Sequence, residues 1–225
     1  MISLDQLSLA ARETAQGSDD LPVGGGFKRF LDICAGVSGI IVLSPLLLML
    51  TVLIKFSDGG SVFYGHRRIG FGGEVFKCWK FRTMVEKGDA VLAEYLSKNP
   101  EARLAWEEEQ KLENDPRVTP IGHVLRKLSL DELPQLFNIL VGDMSLVGPR
   151  PVVNDELKRY GRALHCYLAS RPGLTGLWQV SGRSDVSYQS RVAFDQRYVE
   201  TWSVPSDIVI IFKTIPAVLM QKGSR

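Results

Sequence analysis

The densest apolar block of the chain runs from Ile33 to Ile54, 22 residues without a charged side chain. At about 1.5 Å per residue, a helix of that length just crosses a hydrocarbon layer about 30 Å thick. Ser44-Pro45 stands in the middle of the block. Proline removes a backbone donor and crowds the preceding turn, so a bend is expected there, and each half is then too short to span alone. Three arrangements fit: a buried helix of a soluble core, a kinked span, and a helix that enters, bends and leaves on the same side. The basic flanks are even, with Arg12, Lys28 and Arg29 before the block and Lys55, Arg67 and Arg68 after it. Even flanks give no orientation bias, as a helix with both ends on one face requires.

Residues 1–26 carry little periodic apolar surface and end in Gly24-Gly25-Gly26, so they read as a flexible leader. The apolar stretch begins too late for a cleaved secretory signal. After Gly59-Gly60 the pattern changes. Val62-Phe63-Tyr64 and Val75 to Phe81, joined by Gly70-Phe71-Gly72-Gly73, predict a hairpin. Residues 85–112 predict a helix with Leu92, Tyr95 and Leu96 on one face and the solvated run Glu107-Glu108-Glu109. Residues 122–140 predict a further helix, ending near Gly142. The apolar stretch from Asp207 to Met220 fits either a core helix or a helix on a membrane surface. The fold class is α+β, mostly helical, with a short β-hairpin. It divides into a leader (1–26), a membrane-embedded helix (27–56) and a folded domain (57–225).

Composition narrows the chemistry. With 225 residues, 45% of them apolar, the chain can bury one ordinary core. A net charge of +2 offers no electrostatic footprint for nucleic acid. Cys34, Cys78 and Cys166 form no CxxC pair, and His66, His123 and His165 form no zinc-ligand spacing.

Three features can carry chemistry. In Ser129-Leu130-Asp131-Glu132-Leu133-Pro134-Gln135, either Ser129 and Glu132 form a capping box or Asp131 caps a helix. The same placement suits a reacting carboxylate. At a helix start Asp131 stays ionised and can attack phosphorus, and Glu132 can move a proton or hold a metal. Residues 61–83 hold Arg67, Arg68, Lys77, Lys80 and Arg82 against Glu74 alone. In an extended chain Lys80 and Arg82 share a face and suit a diphosphate, although an exposed amphipathic strand or contact with anionic lipid would read alike. Finally, Gly148-Pro149-Arg150-Pro151, Arg171-Pro172-Gly173 and Gly182-Arg183 are rigid turns that hold single arginines, as ordinary turns do and as phosphate clamps require.

Together these segments resemble the bacterial sugar transferase family of monotopic polyprenyl-phosphate hexose-1-phosphate transferases. The residues carrying the resemblance are Lys28-Arg29-Phe30-Leu31-Asp32, Ser44-Pro45, Lys80-Phe81-Arg82-Thr83-Met84 and Arg126 through Gln135. It continues through Gly142 to Pro151 and Arg171 to Arg183. The resemblance implies transfer of a hexose-1-phosphate, of galactose in the compact succinoglycan-type members, from a UDP-sugar to undecaprenyl phosphate with release of UMP. It implies Asp131 as the nucleophile and magnesium ligand, Glu132 as its partner, and Mg2+ as cofactor. It also implies phosphate binding by Lys80, Arg126, Arg150 and Arg183. The bent helix at Ser44 and Pro45 would be re-entrant, and 57–225 a catalytic domain with membrane-surface helices at the cytoplasmic face of the bacterial inner membrane. Expected partners are the UDP-sugar, undecaprenyl phosphate, membrane lipids and, in a homo-oligomer, further copies of the chain. One departure is His66-Arg67, where the family often has Gln-Glu before the residue matching Arg68. A hydrolase, with water in place of the lipid phosphate, and a non-catalytic membrane scaffold are the competing readings.

Overall fold

The computed structural model describes residues 21–109, 112, 114–182 and 186–219. Residues 1–20, most of the expected leader, and Arg183 lie outside them. Helix α1, Gly25–Asp58, is 34 residues long, about 51 Å at the standard rise. It continues as helix through Pro45. Pro45 has no N–H for the Ile41 carbonyl one turn back, and the Ser44 hydroxyl donates to that oxygen instead, at 2.8 Å. The helix stops at Gly59, whose φ of 76° is left-handed and whose N–H returns to the Lys55 carbonyl at 3.1 Å.

One stripe of α1 is packed and the rest is bare. Ile40 and Leu43 lie against Phe76, Leu136, Ile139 and Met144, and Leu46, Leu47, Leu50 and Ile54 against Phe81 and Leu125. Val37, Ile41, Val42, Leu48, Met49 and Val52 are exposed. Among the described residues α1 is the one helix long and apolar enough to cross a membrane. Both ends are tied to the domain by polar contacts. At the start, Lys28 donates to Asp207 at 2.5 Å, Arg29 to the Leu140 carbonyl at 2.7 Å, and Asp32 accepts from the Leu146 amide at 2.9 Å. At the end, Asp58 pairs with Arg82.

Strands β1, Phe63–Ile69, and β2, Val75–Phe81, form the expected hairpin, antiparallel from Phe63↔Phe81 to Ile69↔Val75. A 3-10 turn over Phe71–Gly73 closes it. The helix expected over 85–112 is two, α2 (Gly88–Lys98) and α3 (Pro100–Glu109). Proline disfavours helical backbone in the residue before it, and Asn99 sits at φ −130°, ψ 89°. The helix expected over 122–140 is also broken. Helix α4 covers Pro120–Lys127, a 3-10 turn covers Leu130–Glu132, and α5 covers Gln135–Val141. Ser129 interrupts it with a left-handed φ of 55° and makes no capping bond, so neither expected cap forms.

Strand β3 (Ser145–Val147) pairs in parallel with β4 (Gly173–Thr175), and α6 (Asn154–Leu157) and α7 (Leu164–Leu168) lie between them in sequence. The chain continues through α8 (Leu177–Val180), α9 (Tyr188–Glu200) and α10 (Val204–Leu219). Helix α10 is packed along one side and bare along the other. Ile210 packs on Val147 and Tyr198, whereas Ile208, Val209, Phe212 and Ile215 are bare.

Candidate active site

The break between α4 and α5 positions the acidic pair. Leu130 and Leu133 anchor the 3-10 turn against Phe81 and Leu125, which draws Asp131 toward β2 and buries it. Asn138, fully buried on α5, fixes β2 from the other side. Its Oδ1 accepts from the Trp79 amide at 2.9 Å and its Nδ2 donates to the Lys77 carbonyl at 2.7 Å. Between these anchors the Lys80 ammonium reaches Glu132 Oε1 at 2.5 Å and Asp131 Oδ2 at 3.6 Å. Burial raises the Asp131 carboxyl above its usual range, against the opposing pull of Lys80 and Arg126. Burial alone would lower Lys80, but Glu132 and Asp131 outweigh it and hold the ammonium above its ordinary value. Arg126 donates from Nε to Thr83 Oγ1 at 2.9 Å, beside the same turn.

A second group of charges lies at the other end of the hairpin face. Gly148 and Gly173 bring β3 and β4 together so closely that a Cβ on Gly173 would lie 2.1 Å from the Gly148 amide nitrogen. The turn that follows presents Arg150. Its guanidinium lies 5.8 Å from the Trp178 ring centre, and that of Arg191 lies 4.7 Å from it. Asp195, buried on α9, accepts from Tyr160 Oη at 2.8 Å and from the Arg150 main chain. Burial pushes its carboxyl up to about 7. Cys78 connects the two groups. Burial pushes its thiol up to about 11, and it feels Lys80 and Glu132 on one side and Arg68 and Arg150 on the other.

Residues 24–221 match the bacterial sugar transferase family. The chain belongs to that family. It is 63% identical over 203 residues to the exopolysaccharide production protein ExoY of Rhizobium meliloti, covering 90% of each chain. The undecaprenyl-phosphate galactose phosphotransferase of Salmonella typhimurium is 52% identical over 197 residues, 88% of this chain and 41% of that one. The UDP-glucose:undecaprenyl-phosphate glucose-1-phosphate transferase of Escherichia coli is 36% identical over 208 residues, 87% of this chain and 41% of that one.

Within this sugar transferase the structure gathers Lys80, Asp131 and Glu132 into direct contact and sets Arg126 beside them. Arg82 departs from the expectation that it shares the diphosphate-facing side with Lys80. It follows the last β2 residue, is buried, and commits its guanidinium to Asp58 and, at 3.8 Å, to Glu86. Strand alternation ends with the strand, so Arg82 ties the hairpin to the end of α1. Arg171, the other turn arginine, donates to the Gly142 carbonyl at 2.8 Å. Sequence reasoning missed Asn138 and Asp195. A lone polar residue inside Leu136-Phe137-Asn138-Ile139-Leu140 is the available signal for Asn138. Nothing comparable marks Asp195 among the charges of its segment.

Proposed function

We propose that the chain transfers a hexose-1-phosphate, galactose-1-phosphate by similarity to the Salmonella protein, from a UDP-sugar to undecaprenyl phosphate as the priming step of exopolysaccharide synthesis. The observation that carries this reading is the Lys80–Asp131–Glu132 contact, a buried carboxylate with a cation beside it. An Asp131 carboxylate oxygen attacks the sugar-bearing phosphorus. The P–O bond to the nucleotide phosphate breaks, and its electron pair leaves on UMP. An oxygen of the lipid phosphate then attacks the same phosphorus, and the Asp131–phosphorus bond breaks to return the carboxylate. Lys80, Arg126 and Arg150 neutralise the phosphate oxygens through both displacements.

Magnesium fits this site in one way. Among the described residues no group of three or more His, Cys, Asp or Glu side chains gathers to hold a metal. Two adjacent carboxylates suffice when substrate phosphates and water complete the octahedron. Asp131 and Glu132 are that pair, and a bound Mg2+ would supply charge neutralisation at the diphosphate.

Membrane placement follows from α1. Lys28, Arg29 and Asp32 at its start and Asp58 at its end bind one and the same domain. A helix crossing the bilayer would carry those two ends to opposite faces. Contact of both with one domain supports a re-entrant helix, with the active site at the cytoplasmic face of the inner membrane, where nucleotide sugar and lipid phosphate meet. The test is incubation of the full chain in nanodiscs with labelled UDP-galactose. Label should enter the organic phase, with stoichiometric UMP, only when undecaprenyl phosphate is present. Steady release of hexose-1-phosphate and UMP into water without lipid would indicate a hydrolase and overturn the reading.

A further inference from the structure

On the hairpin, cross-strand partners share a face, so Lys80 with Tyr64, Cys78 with His66, and Phe76 with Arg68 line one side in that order. Lys80 belongs to the Asp131 group. Arg68 lies four residues along β1 from Tyr64, the partner of Lys80, a backbone separation of about 13 Å at strand rise. Two long cationic side chains narrow that gap toward the length of a diphosphate.

Arg68 is held in place. Its Nη2 lies 3.2 Å from His66 Nδ1, and burial, followed by the charges of Arg68 and Lys80, keeps His66 below its ordinary value and so able to accept this bond. The next residue, Ile69, is fastened to the Arg150 turn. Its amide donates to the Val152 carbonyl at 3.0 Å, and Tyr167 Oη donates to the Ile69 carbonyl at 2.7 Å while accepting from the Val152 amide at 3.2 Å. The two arginines therefore face one region from backbones locked together. Among the described residues neither has a carboxylate within ion-pair distance. The acids that face them are Glu156 and the buried Asp195. Two half-buried guanidiniums repel each other, and an anion between them turns that repulsion into paired, charge-assisted hydrogen bonds.

We infer that Arg68, oriented by His66, forms with Arg150 a second phosphate subsite, which holds the phosphate leaving with the nucleotide and then the lipid phosphate that replaces it. The inference rests on the reaction proposed above. Displacement at phosphorus places attacking and leaving oxygens roughly in line. With one carboxylate serving both displacements, the departing and the entering phosphate occupy the position opposite Asp131 in turn.

The test uses the full chain in nanodiscs and two readouts: the dissociation constant of UMP, measured without turnover, and the KM for undecaprenyl phosphate. Arg68→Met should raise both at least tenfold. A rise in only one of the two constants overturns alternate occupancy, leaving the subsite to the nucleotide or to the lipid alone. Arg68→Lys keeps the charge but loses the planar fork and should give a smaller rise in the same constants. It carries the test if the methionine variant melts early. A lower kcat with both constants unchanged overturns the subsite. Absence of lipid product from the unaltered enzyme overturns the reaction instead, and the UMP measurement is independent of it.

Discussion

The two charged groups on either side of Cys78 are built on different balances. Around Lys80, one ammonium stands within 3.6 Å of Asp131 and at 2.5 Å from Glu132, and with Arg126 beside the same turn two cations balance two carboxylates. Around Trp178, Arg150 and Arg191 share one buried acid, Asp195, whose carboxyl is pushed up to about 7 and which accepts bonds from Tyr160 and the main chain. There, positive charge is in excess. In the first, the cations keep Asp131 ionised against burial and the Glu132 charge, and a site that receives a dianion needs the second. On the mechanism proposed above, the two groups flanking Cys78 divide a phosphoryl transfer into a nucleophile end and an anion end.

The sharpest break of that division is Asp131→Asn. Loss of the attacking oxygen should lower lipid-linked product at least about 1,000-fold, as removal of a nucleophile does elsewhere. UMP affinity should change by less than about threefold, because the anion end is intact and one like charge has been removed. An equal loss of UMP binding would mean that the two groups are one site with no division of labour.

Lys80→Met comes next, with a fall in kcat/KM of about 100-fold, the scale of one prearranged charge-stabilising donor. Its pH profile carries the sharper information. On the proposed mechanism ionised Asp131 is the active form, and burial raises its carboxyl, so activity should be lost on acidification above the ordinary carboxylate range. Lys80 is the main influence holding that carboxyl down, and Glu132 pushes it up. The acid limb of kcat/KM should therefore move to higher pH in Lys80→Met and to lower pH in Glu132→Gln. An unmoved limb in both variants would remove Asp131 as the titrating group.

Much of this was legible in the sequence, and the exceptions have physical causes. The hairpin followed from β-branched and aromatic runs around glycines, and the long helix from its uncharged block. The pattern places Pro100 inside a helix over 85–112 and Ser129 inside or capping one over 122–140, yet proline disfavours helical backbone at Asn99 and a left-handed serine turns the chain at residue 129 without capping. Local chemistry and order single out Asp131 and Lys80 as candidates, and the structure brings them within 3.6 Å. Their contact was not legible in the sequence, because it depends on Asn138 tying β2 to α5. Arg82 misled for the same reason. Strand alternation placed it beside Lys80, but a long-range partner, Asp58, captures it once the strand has ended.

Arg82 is also the internal control for the arginines of the anion end. It is a buried cation with partners already in place, so its removal should disturb folding and leave ligand affinity alone. Arg82→Met should destabilise the protein by about 1 kcal/mol, since it removes one ion pair whose acidic partner, Asp58, is exposed to water. Chemical denaturation reads that loss. UMP affinity should stay within about twofold in the folded fraction. A tenfold weakening of UMP binding would return Arg82 to the phosphate-binding set.

The smallest effect concerns the acid beneath the anion end. Asp195 has a folded-state value of about 7, above the roughly 4 of an unfolded aspartate. Between these values the folded state binds the proton more strongly than the unfolded one. Its contribution to stability is therefore full below about pH 4, declines as pH rises toward 7, and is flat beyond. The limiting slope for one group is about 1.4 kcal/mol per pH unit, and Asp195→Asn removes it while an amide oxygen still accepts from Tyr160. The difference in unfolding free energy, unaltered protein minus variant, should thus fall steadily from pH 4.5 to 7 and then level. The carboxylates around Lys80 are common to both proteins and cancel in that difference. If it were independent of pH, Asp195 would be ionised throughout, a full counter-charge to Arg150, and the contrast in balance between the two ends would be correspondingly weaker.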